Sequence, residues 1–126
     1  MKLKSLWWGI NIKTMVEHQM NLNDKAFSNI KDGTKILEVR LYDEKRQKLE
    51  IGDKITFFNN GQGVAVMVFG LSRFASFSDL FNTLGGLTAG WSEKDTPDFM
   101  VNGMRKFFSE EEERKYGVLG IHIRLI

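Results

Sequence analysis

Gly33-Thr34-Lys35-Ile36-Leu37-Glu38-Val39-Arg40-Leu41-Tyr42 is the stretch that orders the rest of this chain. Leu37, Val39 and Leu41 alternate with Glu38, Arg40 and Tyr42. Period two makes this a strand, with aliphatic side chains on one face and a carboxylate, a guanidinium and a phenol on the other. Just upstream, Asn23 suits a helix N-cap, Asp24 a first turn and Gly33 a C-terminal stop, while Phe27 and Ile30 lie three apart. A short helix thus delivers the chain into Lys35. Strict alternation would place Lys35 with Leu37 and Val39, so it joins Glu38 and Arg40 only if the chain bends at Gly33-Thr34.

Outward from this segment, Val16 to Leu22 alternates and reads as a first strand. Asp43 to Lys48 is a charged connection, and Gly52-Asp53 leads into a strand over Lys54 to Phe58. Asn59-Asn60-Gly61 is a hairpin signal, because Asn-Gly accepts the positive φ angles such turns need, and Val64 to Leu71 returns. Ser76 with Asp79 has the spacing of a capping box before Phe77, Leu80, Phe81 and Leu84, and Gly85-Gly86 ends that helix. Thr96-Pro97 opens another, with Phe99, Met100, Met104, Phe107 and Phe108 as its apolar content. Ser109 with Glu112 opens a third that closes at Tyr116-Gly117, and Val118 to Ile126 is a last strand. Segregated strands and helices favour α+β over a doubly wound parallel sheet. Gly85-Gly86 follows a helix and lacks the later glycine and lysine of a phosphate loop, so no nucleotide-triphosphate site is expected.

The 126 residues, 42% hydrophobic and 27% charged, suit one folded core. With no cysteine there is no disulfide, thiol catalysis or thiolate metal site, and a cytoplasmic location is the expectation. His18 and His122 have no metal-ligand spacing, so neither metal nor cofactor is expected. Residues 1–14 carry Lys2, Lys4 and Lys13 and read as an N-terminal extension to a domain over 15–126. Their apolar run from Leu6 to Ile12 is short, broken by Asn11 and followed by no small-residue cleavage site, which argues against a secretion signal. No membrane partner is expected. Trp7 and Trp8 are assigned to covering an apolar surface or a dimer contact; a homodimer could also use the end of the helix near Phe107 and Phe108.

Gly33-x-Lys35-x-x-Glu38-x-Arg40 resembles the signature of the ASCH family, small domains similar to the RNA-binding PUA domains. The Asn23-Asp24-Lys25-x-Phe27 helix, the Leu41 to Arg46 continuation, the Gly52-Asp53 turn and Tyr116-Gly117-Val118-Leu119-Gly120-Ile121 extend the resemblance over residues 15 to 126. It implies a PUA-like mixed or antiparallel β-barrel with short helices packed around it, and a cleft lined by the motif.

Two functions follow from that resemblance. The first is binding of RNA or a nucleoside or nucleotide. Arg40 offers a planar fork for an anion, Lys35 a point charge and Glu38 an acceptor, with Tyr42 on the same strand face. Residues 25–54 hold eight basic and six acidic residues, whereas 76–126 hold six and eight, so the positive side surrounds the motif. Lys45, Arg46 and Lys48 are candidates for phosphate contacts, and Phe74 or Trp91 for stacking on a base. The second is hydrolysis, since the family includes amidohydrolases of acetylated cytidine and a reported ribonuclease. In the amidohydrolase branch the motif lysine is catalytic, which maps to Lys35; in this chain Glu38 beside it is the candidate general base for water. This chain has Glu38 where that branch has threonine, and near its further glutamate it offers only Asp79 and Glu93.

Overall fold

In the computed structural model the described residues are 15–126, together with the backbone of two short paired strands, β1 (Leu3–Ser5) and β2 (Asn11–Lys13). Trp7 and Trp8 lie outside them. Seven further pieces follow the order read from sequence closely: β3 (Glu17–Asn21), α1 (Asp24–Lys31), β4 (Leu37–Leu41), β5 (Lys54–Asn59), β6 (Gln62–Phe74), α2 (Phe77–Leu84) and α3 (Pro97–Met104). α4 (Glu110–Tyr116) and β7 (Val118–Leu125) complete the chain. Each α-helix starts at the cap its sequence announces. Asn23, Ser76 and Thr96 accept from the backbone N–H groups of Ala26, Asp79 and Phe99, and Ser109 with Glu112 forms a reciprocal capping box.

The main sheet has the strand order β3-β5-β6-β7-β4. β3 lies parallel to β5 and every other pairing is antiparallel. This five-stranded mixed sheet curls into a half-barrel. β6 is longer than its alternating core Val64 to Leu71 suggested, running thirteen residues with a bulge between Val68 and Gly70 that lets one strand turn with the sheet. α3 is shorter than expected: it ends at Met104, and Phe107 and Phe108 belong to the turn that follows.

Two apolar clusters sit on the two faces of the sheet. Ile55, Phe57, Val66, Val68, Leu119, Ile121 and Ile123 fill the inside of the curl, with Met20, Ile30 and Leu49. Leu37, Val39, Leu41 and Val118 face outward against Phe77, Leu80, Phe81, Met100 and Met104 of α2 and α3. Gly120 allows that close approach, since a Cβ there would lie 3.3 Å from Leu37 and 3.4 Å from Leu80. The aliphatic face of β4 therefore meets helices. Its polar face, paired in register with Ile121 and Leu119, looks into the curl.

Inside the same curl the fully buried Asp53 carboxylate accepts from Glu50 N–H at 3.0 Å and lies 2.9 Å from His18 Nε2. It holds the turn before β5 to β3. This explains the Gly52-Asp53 pair, with Gly52 at φ +95°. No helix among the described residues is long and apolar enough to cross a membrane.

Candidate functional site

The way the chain leaves α1 decides where Lys35 goes. Gly33 takes φ +84°, and the Asp32 carboxylate accepts from Thr34 N–H at 2.9 Å and from Thr34 Oγ1 at 2.6 Å. Lys35 N–H donates back to Asn29 O at 2.9 Å, and Ile36 N–H donates to Thr88 O at 2.8 Å. The regular pleat begins only at Leu37. Lys35 thus stands outside the alternation, and its Nζ lies 3.1 Å from Glu38 Oε1. The bend that the sequence required is present.

The other Glu38 oxygen, Oε2, is 2.6 Å from Arg40 Nε, and Arg40 Nη2 donates to Asn21 O at 2.9 Å. Lys35 Nζ also donates to Leu37 O and Ala89 O, each at 2.9 Å. A continuous polar chain therefore runs from the Leu87–Ala89 3-10 turn through Lys35, Glu38 and Arg40 to β3. Glu38 is buried, which by itself would favour the neutral acid, but the Lys35 and Arg40 charges outweigh that cost and hold the carboxyl below its ordinary 4.5. A buried carboxylate paired on both sides and a buried ammonium with three acceptors are each well satisfied.

A cleft of about 750 Å³ opens beside this chain. Lys35, Glu38, Val39 and Arg40 form its floor, Asn21 and the start of α1 with Lys25 and Asn29 one wall, and Trp91, Phe99 and Asn102 the other. Lys106, Phe107 and Phe108 stand at the end of α3. Trp91 sits edge-on to both Phe81 and Phe99, each 6.2 Å between ring centroids. Room for its indole comes from Gly103, where a Cβ would overlap the ring, while a Cβ at Gly86 would overlap the neighbouring Met100 sulfur and press on the Trp91 Cβ. The charged lining comprises four cations, Lys25, Lys35, Arg40 and Lys106, and one carboxylate, Glu38.

Three of the residues read from sequence, Lys35, Glu38 and Arg40, come together here. Tyr42, Lys45 and Arg46 do not line the cleft. Tyr42 packs against the inner core with the Arg73 guanidinium 3.9 Å above its ring. Lys45 Nζ donates to Gln19 O at 2.9 Å. Arg46 pairs loosely with Asp43 at 3.4 Å, and its guanidinium is lowered from its ordinary pKa by burial and by the nearby Arg40. Of the two stacking candidates Trp91 lines the cleft, whereas Phe74 packs against the helix-side core. Asp79 and Glu93 are exposed and line no part of it. Sequence reading missed Lys25, Asn29, Phe99, Asn102 and Lys106, because only the fold brings α1 and α3 to opposite sides of β4. Among the described residues no cluster of histidine and carboxylate side chains could hold a metal.

A curled half-barrel with helices on its outer face and a charged cleft at the edge of β4 is a PUA-like architecture. The chain belongs to the ASCH domain family, whose pattern it matches over residues 20–126. The crystal structure of hypothetical protein PH0355 is similar at 34% identity and TM-score 0.80, covering 88% of this chain and 100% of that one. The solution structure of PF0455 from Pyrococcus furiosus gives 32% identity and TM-score 0.72, covering 88% and 98%. An ASCH protein from Zymomonas mobilis shares the fold at 15% identity and TM-score 0.60, covering 86% of this chain and 66% of that one. Among curated proteins no sequence matches the chain.

Proposed function

We propose that the protein binds RNA, or a nucleotide unit of similar chemistry, in the cleft between α1, β4 and α3, and that it holds this ligand without cleaving it. The observation that carries this reading is the pairing of an aromatic wall at Trp91 and Phe99 with a lining of four cations and one carboxylate. A base offers a flat face for stacking and its phosphate offers negative charge, so one such unit uses both features. Hydrolysis would require Lys35 to present a lone pair. All three of its N–H directions are engaged by Leu37 O, Ala89 O and Glu38, and Glu38 as a base is weakened by its two cations. Both features count toward binding.

The test is retention of a short single-stranded RNA by the full chain and by Trp91→Ala, with N4-acetylcytidine incubated in parallel. Retention should fall as salt rises and, for the variant, weaken by about 1–3 kcal/mol for each base stacked. Acetate release that disappears in Lys35→Ala would establish an enzyme instead.

A further inference from the structure

The charged side chains on the cleft floor are occupied with one another, so what remains to read a ligand there is the main chain. β4 is an edge strand of the sheet, paired with β7 alone. Tyr42 N–H to Gly117 O and Ile123 N–H to Ile36 O fix the phase of that ladder. In an antiparallel pair this phase turns the N–H and C=O groups of Glu38, Arg40 and Tyr42 toward β7 and those of Leu37, Val39 and Leu41 away from it. Leu37 O is taken by Lys35 Nζ. Val39, only 7% exposed and lining the cleft, has no main-chain partner on that side among the described residues. β3 does not supply one, because its contact with this edge is its Asn21 carbonyl accepting from the Arg40 side chain, and no β3 main-chain group bonds the β4 main chain.

An N–H and C=O left without a main-chain partner beside a cleft take their partners from whatever fills it. In an extended strand the two groups of one residue project side by side in the same direction. That is the complement of a heterocycle carrying an acceptor and a donor on adjacent ring positions, as the Watson–Crick edge of a nucleobase does. We propose that the Val39 main chain is the base-reading element of the cleft, pairing with that edge while Trp91 takes the ring face. This rests on the cleft's being a nucleotide site and adds how a base is told from any other flat ring. The Val39 side chain points into the helix-side core and has no part in it.

The test uses the 15N-labelled full chain titrated with AMP, CMP, GMP and UMP, then with the analogue of the tightest of these methylated at its pairing ring nitrogen. The Val39 amide resonance should shift and gain exchange protection on saturation. The methylated analogue, which can still stack, should bind about tenfold more weakly, the scale of one bidentate edge contact. If a nucleotide binds but the Val39 amide does not respond, or the methylated analogue binds equally well, base reading by Val39 is wrong and the nucleotide cleft stands. If none of the four binds, and RNA is not retained either, both ideas fall.

Discussion

Glu38 shows at the scale of one residue how a charge can be kept in a protein interior. Its carboxylate is stabilised by Lys35 and Arg40 against burial, so its folded pKa lies below its unfolded one. A depressed carboxyl contributes stability that is fully present above pH 4.5 and is lost as pH falls through the folded pKa. Glu38→Gln should accordingly lower stability near neutrality by about 3 kcal/mol, the scale of breaking a buried pair. The gap between variant and wild type should narrow on acidification below pH 4.5, which denaturant melts across that range will read. Lys35→Met keeps the length of the side chain but frees Ala89 O, so it should cost a similar amount and loosen the loop that carries Trp91. Hydrogen exchange at Ala89 and Gly90 checks this. The residues of this triad were legible in sequence. The position of Lys35 was not, because it depends on an α1 exit turn whose Asp32–Thr34 hydrogen bonds no periodicity encodes.

Among the elements, α3 departs from its sequence reading in a way that bears on the cleft. Pro97 and Thr96 announced its start, but Phe107 and Phe108 at helical spacing suggested a longer helix than the one that ends at Met104. Tertiary contacts explain the difference, since Phe108 leaves the helix to stack on Phe77 at 5.6 Å, while Phe107 remains 63% exposed at the cleft. Gly103 within this helix costs about 1 kcal/mol relative to alanine in intrinsic propensity. Its compensation is the place it leaves for the Trp91 ring. Gly103→Ala should therefore gain nothing in stability. It should displace the indole and weaken RNA retention as Trp91→Ala does, while Lys35, Glu38 and Arg40 keep their contacts. RNA retention beside the near-ultraviolet circular dichroism of the tryptophan reports both effects.

For the whole molecule, the strands and caps were readable one by one, whereas their neighbours were not. The hairpin at Asn59-Asn60-Gly61 identified its own partner strands, with Asn60 and Gly61 both at positive φ. Nothing local told β3 to run parallel to β5, nor placed β4 at the far edge beside β7. The cleft exists because of that placement, which is why its Lys25, Asn29 and Lys106 lining escaped the sequence. Lys25 and Lys106 are exposed at the cleft and lie outside the Lys35–Glu38–Arg40 triad, so neutralising them should act on affinity without unfolding the chain. A Lys25→Gln, Lys106→Gln double variant should retain the single-stranded RNA less well at low salt and show a salt slope shallower by about 1.4 units if each lysine meets one phosphate.

The curl of the sheet brings its first and last strands near each other without joining them. Across that gap Arg40 reaches Asn21 O and Lys45 reaches Gln19 O, each at 2.9 Å. The molecule is in this respect a split ring fastened by two rivets. A backbone ladder would have to be unzipped bond by bond to change the ring's circumference, whereas here two long side chains can swing while every rung of the sheet stays made. One of those rivets, Arg40, is also part of the cleft floor, so the clasp that closes the ring and the surface a guest would meet share a single side chain.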